Sequence, residues 1–512
     1  MIGCLALATD LGMGQPLDHG LRTCLVAVGV GRELGLTEQQ LSDVYYITLL
    51  RFVGCNAHDH EDVVELGDEL AFRAGWAPIL SGGTADAWRF MVRQIGAGMP
   101  ATRRAMMIGR ALAEGSKGAQ RSIATTCEVA QMIASRLGMN ESVVSGLGYT
   151  FERHDGKGFP AGAEAEEIPV TAHIAMIARD FEVLYRIGGR EFVEESARKR
   201  RGRAYTPAVL DGFLKHAWSL LERTDSSSDW NDFLAEDPLQ GRELDTSQLD
   251  HALLCLADFA DLKSPFTLGY SRAVSDLSSR AAQAAGLDAV ETKVLCTAAL
   301  VQELGMAGVS GTVLEKPAAL TEGEWERVRL HPYLTERTLA RCTALSPSAS
   351  VAASHHERID GTGYHRGLSG PQLTSPCRLL AAAGAYVALT SERPWRPPLA
   401  APEVAATLRA EATSGKFDGV AVDAVLAAAG EPVTPRRRTW PSGLTDREVE
   451  VLRLITQGKS NGAVAAELVI SPKTVGRHIE NIYSKIGVSS RAAAAVFAVQ
   501  HELAPPQGVL GD

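Results

Sequence analysis

Apolar residues recur along the chain at three- and four-residue spacing, and no stretch shows sustained apolar/polar alternation. That period predicts helices and no strands. The clearest set lies near the C-terminus. Thr445, with Glu448 three residues on, predicts a capping box in which two orphan backbone donors are satisfied reciprocally. Val451, Leu452 and Ile455 follow on one face, and Gly458 ends the helix. A second helix is predicted over 460–468, with Val464, Ala465 and Leu468 on its apolar side. After a short turn at 469–471, Ser471 caps a third helix and Pro472 suits its first turn, where no amide hydrogen is needed. The third helix has an apolar stripe of Val475, Ile479, Ile482 and Ile486, while Lys473, Thr474, Arg477, His478 and Asn481 point elsewhere.

A helix that buries one side and offers cations and hydrogen-bonding groups on the other fits a DNA major groove. Arg477 and Asn481 suit base edges, and Lys473 and Lys485 suit phosphates. On these residues the segment resembles the DNA-binding domain of LuxR-type transcription regulators. The resemblance implies a four-helix head, with 490–501 as a last helix that often dimerises in the family. Gly476, inside the third helix, departs from the pattern: it removes a side chain and costs about 1 kcal/mol relative to Ala.

Upstream, one pattern is used twice. Glu152-Arg-His-Asp-Gly-Lys-Gly-Phe-Pro160 is echoed 205 residues later by Glu357-Arg-Ile-Asp-Gly-Thr-Gly-Tyr-His365. The stretch beginning at Tyr205 is echoed by the one beginning at Phe417, 212 residues on. Two similar offsets in the same order predict a duplicated fold, with repeats at 1–225 and 245–430 and a head at 436–505. The polar strip 224–237 joins the repeats. The segment 431–442, with the basic triplet Arg436, Arg437 and Arg438, joins body to head.

The second repeat carries Leu330-His-Pro332, Ser354-His-His-Glu-Arg-Ile-Asp-Gly-Thr-Gly-Tyr364 and Ala388-Leu-Thr-Ser-Glu-Arg-Pro394 in order. This is similar to the HD-GYP family, helical metal-dependent phosphodiesterases that act on cyclic di-GMP. The resemblance implies an all-α architecture of tandem HD-type helical domains. It also implies a cluster of His and carboxylate ligands around two or three ions that activate a water. His331, His355 and His356 stand at ligand positions. The signature His-Asp, however, is Gln302-Glu303, the Lys three residues after it is Met306, an upstream His is Tyr270, an Asp is Gly384, and a Pro is His365. Gln302 offers a neutral amide where ions need imidazole or carboxylate. Glu303 remains able to ligate, so the expected site is at most one divalent ion on Glu303, His331, His355 and His356.

In the first repeat the His-Asp position falls on Arg51-Phe52 and the paired His on Thr150-Phe151, while His19 keeps the upstream position. The alignment to Arg51 needs an offset of 251, so this repeat carries an insertion further on. Arg51 either neutralises a carboxylate, holds an anionic ligand, or is structural. His58-Asp59-His60 lies seven residues too late for the motif and is expected in an exposed loop.

Charge refines this division. The chain carries a net −10, but residues 436–503 hold 10 Lys+Arg against 6 Asp+Glu, so an acidic body bears a basic head. The eight cysteines are dispersed, without a Cys-x-x-Cys pair, which points to reduced thiols in a cytoplasm. No apolar run approaches a membrane span, and the first residues lack the basic region of a signal peptide. The expected function is therefore a cytoplasmic, homodimeric regulator of transcription. Its head binds double-stranded DNA and its HD-like repeats sense a small-molecule or nucleotide ligand or a partner. The rival expectation is a metal-dependent phosphodiesterase or phosphohydrolase with a DNA-binding head.

Overall fold

The computed structural model describes residues 1–79, 83–226, 230–238, 244–432, 440–501 and 503. The basic triplet Arg436–Arg438, and Ser227 and Ser228 of the polar strip, lie outside the described residues. The chain divides into two compact units, Met1–Pro432 and Val433–Asp512. Among the described residues every regular element is helical, and β pairing is limited to isolated bridges.

The larger unit contains the duplication. Helices His19–Glu33 and Glu38–Leu50 pack as a pair and both meet Val170–Arg200, while Pro207–Ser226 closes over the first of them. Tyr270–Ala285, Ala289–Val301, Ser375–Thr390 and Gly419–Ala428 repeat that arrangement. The shared Glu-Arg-x-Asp-Gly-x-Gly motif is explained locally. Glu152 is buried and accepts from the amides of Ala161, Gly162 and Ala163; Glu357 is buried and accepts from those of Arg366 and Leu368. Each carboxylate thus satisfies the donors of its own loop, which would otherwise be costly to bury. The second Gly of each motif is sterically required: a Cβ at Gly158 or Gly363 would lie 2.4 Å from the backbone nitrogen of Arg153 or Arg358. Bridges Asp155↔Glu164 and Asp360↔Ser369 fall at the same 205-residue separation.

Between Arg51 and Glu152 the first repeat has 46 more residues than the second has between Gln302 and Glu357. The extra chain forms helices that include Glu69–Trp76, Thr84–Gln94 and Ala101–Glu114. It also locks the repeats together. Lys263 of the second repeat is 1% exposed, and its Nζ lies 2.7 Å from Asp59 Oδ2 and 2.8 Å from Glu69 Oε1. Glu69 additionally accepts from Ser310 Oγ and the Gly311 amide, while Arg73 pairs with Asp59 and Asp62. The expectation of an exposed His58-Asp59-His60 loop is therefore corrected. Asp59 is fully buried and opens the helix Asp59–Glu65, His58 is half-buried, and only His60 is exposed, paired with Glu315 at 2.7 Å.

Among the described residues the smaller unit holds four α-helices, Asp446–Thr456, Asn461–Glu467, Pro472–Ile486 and Arg491–Gln500. Thr445 and Glu448 form the expected capping box, and Ser460 and Ser471 cap the next two helices. Val451, Leu452, Ile455, Val464, Val475 and Ile482 are buried in one core, with Leu468, Ile479 and Ile486 packed around it. The last helix contributes Ala494 and Ala498 to that core.

Candidate metal centre and nucleic-acid interface

The second repeat brings Glu303, His331, His355 and His356 together, with one ligand atom from each lying within 4.8 Å of the others. Glu303 follows Ala289–Val301, His331 opens the helix His331–Leu339, and the two adjacent histidines follow Ser346–Ala353. His331 Nε2 is 3.8 Å from Glu303 Oε2, and His355 Nε2 is 3.6 Å from Glu303 Oε1. A four-coordinate ion with bonds of 2.0–2.2 Å separates its ligand atoms by about 3.3–3.6 Å, so the two Glu303–His distances lie near what one ion needs.

The tautomers point the same way. His331 Nδ1 is 2.6 Å from the carbonyl of Val328, and His355 Nδ1 is 2.6 Å from that of Ala352. Each Nδ1–H donates to a carbonyl, which leaves both Nε2 lone pairs free. Those two nitrogens face each other at 2.9 Å. Burial lowers all three imidazoles, His355 to about 4, so protonation does not relieve the contact. A cation does. Burial, with Asp261 nearby, pushes Glu303 up to about 7, against a smaller lowering by Arg393.

The remaining positions do not extend the cluster to further ions. Tyr270 OH donates to the carbonyl of Gly384 at 3.1 Å, so two positions where the family resemblance puts ligands are closed by a phenol on a carbonyl. Gln302 is fully buried, and neither its amide oxygen nor its nitrogen has a partner among the described residues. His365 is half-buried beside Tyr333, with Nε2 3.9 Å from Glu336. Asp261 escaped sequence reasoning. It accepts from the Ser271 amide at 2.9 Å and hydroxyl at 2.7 Å, and burial raises it to about 7. The available signal was Asp10, 251 residues earlier, which accepts from the Gly20 amide in the same way.

In the first repeat the equivalent positions hold no such cluster. Arg51 is buried and donates to the carbonyls of Ala175 and Thr150, at 3.0 and 3.1 Å. Of the three roles expected for Arg51, this geometry is the structural one. His19 is buried against Glu182, Nδ1 to Oε2 2.6 Å.

In the smaller unit, Lys473, Thr474, Arg477 and Asn481 are exposed along Pro472–Ile486, and His478 is half-buried. Lys473, Arg477 and Asn481 have no side-chain hydrogen bond or ion pair among the described residues, whereas Thr474 shares its hydroxyl with Ser471. Lys485 differs: its ammonium sits 2.6 Å from Glu448 and 3.0 Å from the carbonyl of Gly443, tying this helix to the first cap. A Cβ at Gly476 would meet nothing within 4 Å.

Comparison with known proteins finds family matches in both units. Residues 113–195 and 255–420 match the HD domain family, and 442–498 match the bacterial regulatory proteins of the luxR family. The chain is 30% identical over 402 residues to 3'3'-cGAMP-specific phosphodiesterase 3 of Vibrio cholerae, covering 77% of this chain and 86% of that protein. A cyclic di-GMP phosphodiesterase of Thermotoga maritima is 30% identical over 208 residues, 40% of this chain and 52% of that one. The crystal structure of a cyclic GMP-AMP-specific phosphodiesterase of Vibrio cholerae superposes with a TM-score of 0.54 at 24% identity, over 84% of this chain and 97% of that chain.

The class is thus a helical HD unit joined to a helix-turn-helix head. The chain belongs to the HD-domain family and carries a LuxR-type DNA-binding domain at its C-terminal end. Among the described residues no helix is long and apolar enough to cross a membrane.

Proposed function

We propose that the protein is a cytoplasmic regulator of transcription that binds operator DNA as a homodimer, with HD-like domains at 1–225 and 245–430 that sense a ligand and a DNA-binding domain at 436–505. The observation that carries this is the contrast between an uncommitted polar face on the head and an incomplete centre in the body. Arg477 and Asn481 read base edges, His478 and Thr474 flank them, and Lys473 holds phosphate. Lys485, bound to Glu448, contributes to phosphate binding only by exchanging that partner.

The test is operator selection with the full-length protein. Arg477→Ala should lose about 1–3 kcal/mol of discrimination, roughly 5- to 150-fold, between operator and random DNA. Lys473→Ala should weaken both and reduce the salt slope by about one. Wild-type behaviour of both variants would refute the assigned face.

A second reading has its own support, the convergence of Glu303, His331, His355 and His356. These four hold one divalent ion, which when bound supplies a Lewis acid and an activated water. The sequence relatives named above act on cyclic dinucleotides, so the reaction would be phosphodiester hydrolysis. Metal analysis and turnover assays with cyclic dinucleotides decide. One ion per chain without turnover favours the sensor, and turnover lost in the double variant His355→Ala/His356→Ala favours the enzyme.

A further inference from the structure

A cavity of about 330 Å³ lies in the first repeat, in the size range of small-molecule sites. It occupies the place that corresponds to the Glu303/His356 cluster. Phe52, Phe151 and Phe159 line it, at the positions equivalent to Glu303, His356 and Tyr364 of the second repeat. An acid, an imidazole and a phenol have each become a phenyl ring, so the site did not collapse but changed its chemistry. The extra 46 residues supply the opposite wall, where Phe72 and Trp76 stack at 5.8 Å between centroids and Phe90 packs edge-on to Phe72.

Charge gives the second constraint. Five cationic and three carboxylate side chains line the cavity. At its inner end Arg179 is 2% exposed; its Nη1 binds Asp180 and the carbonyl of Ala77, and its Nε has no partner among the described residues. Arg200 shares the same Asp180. Arg51, whose guanidinium lies 4.5 Å from the Phe52 ring, is held by carbonyl oxygens alone, and its Nε is also unpartnered. Arg179 and Arg200 therefore share one carboxylate, while Arg51, like Arg179 beside the Phe52 ring, has no carboxylate partner among the described residues, which leaves an excess of buried positive charge behind an aromatic wall. Burying unpaired charge is costly, and an entering anion offsets that cost.

We propose that this cavity is a binding site for a small amphipathic organic anion, an apolar body with one carboxylate-like group directed at Arg179. Phe52, Phe151, Phe159 and the Phe72/Trp76 wall take the body. The inference deepens the sensor reading by naming the ligand class and the repeat that holds it.

Decanoate and decanol, titrated calorimetrically into the full-length protein, separate the two requirements. Decanoate should bind saturably at one per chain, with decanol at least tenfold weaker. Ala111→Trp and Ile123→Trp, both on the cavity wall, should each reduce decanoate binding at least tenfold. Arg179→Gln should bring decanoate down to the level of decanol. No saturable decanoate binding, or full binding in both tryptophan variants, would overturn the site. Equal affinity for acid and alcohol in the wild-type protein overturns the anion requirement without any variant having to fold. The titration is independent of DNA, so a cavity that fills without altering operator binding would refute the sensor role and leave the site standing.

Discussion

Gln302 is the most informative single side chain to remove. It is fully buried at the end of Ala289–Val301, and its backbone carbonyl is occupied by Thr335 Oγ1 at 2.9 Å. Its side-chain oxygen and nitrogen have no partner among the described residues. A buried amide group without a hydrogen bond costs about 1–3 kcal/mol, and less where packing relaxes around it. Methionine has nearly the same shape and no polar hydrogen to desolvate. Gln302→Met should therefore stabilise the metal-free protein by about 2 kcal/mol. With an unfolding entropy of roughly 2.1 cal/mol/K per residue, the 432-residue unit has about 0.9 kcal/mol/K, so the gain appears as a rise of about 2 °C in Tm. The assay is calorimetry of full-length protein in chelator, reading the transition of the large unit. A fall in Tm would show that the amide has a partner, an ion or a water, and that its reading as an orphaned remnant is wrong.

Other expectations follow from the same kind of bookkeeping. Lys263→Met removes the buried cation shared by Asp59 and Glu69, leaving Asp59 to Arg73 and Glu69 to Ser310 and the Gly311 amide, and should cost about 3–5 kcal/mol, with Lys263→Met/Glu69→Leu recovering part of it; an unchanged Tm would refute the interlock. Burial pushes the Glu69 carboxyl up, but Lys263 and the Gly311 amide more than offset that, so its net shift is downward from 4.5. Its contribution is present above that ordinary value and is lost as pH falls through the lower folded one. The stability difference between wild type and Glu69→Gln should then be full at about pH 6 and shrink in acid below about pH 4.5, measured by urea unfolding. Gly476→Ala should raise the head's transition by about 4–8 °C, since about 1 kcal/mol of helix propensity is gained with no clash.

The head was legible because its determinants are local. A cap, an apolar stripe and a terminating glycine each lie within a few residues of what they control, and all of them appear in the structure. The duplication was legible because Glu152 and Glu357 bind their own loops and so keep a short motif intact. What escaped is set by partners distant in the chain. Asp59 read as a loop residue because nothing nearby announces Lys263, about two hundred positions away. The pairing of Lys485 with Glu448 went unseen because Glu448 belongs to another helix. The cavity escaped because Phe52, Phe151 and Phe159 look like ordinary core residues until the insertion roofs them.

The two repeats differ most in where positive charge comes from, and that difference makes a localised prediction. In the first, a guanidinium bound to two carbonyls is part of the chain and is always present. In the second, neutral imidazoles face each other across 2.9 Å and only an added cation relieves them. Metal should therefore stabilise the second repeat against local opening and leave the first untouched. At a free metal concentration one hundred times Kd the gain is about 2.7 kcal/mol, a hundredfold in amide protection. Hydrogen exchange with and without chelator should show that change in His331–Leu339 and Ser346–Ala353, with none in His19–Glu33 or Glu38–Leu50 beyond any shift in global unfolding. Equal metal dependence in both repeats at amides that exchange by local opening would mean that the four donors do not hold the ion.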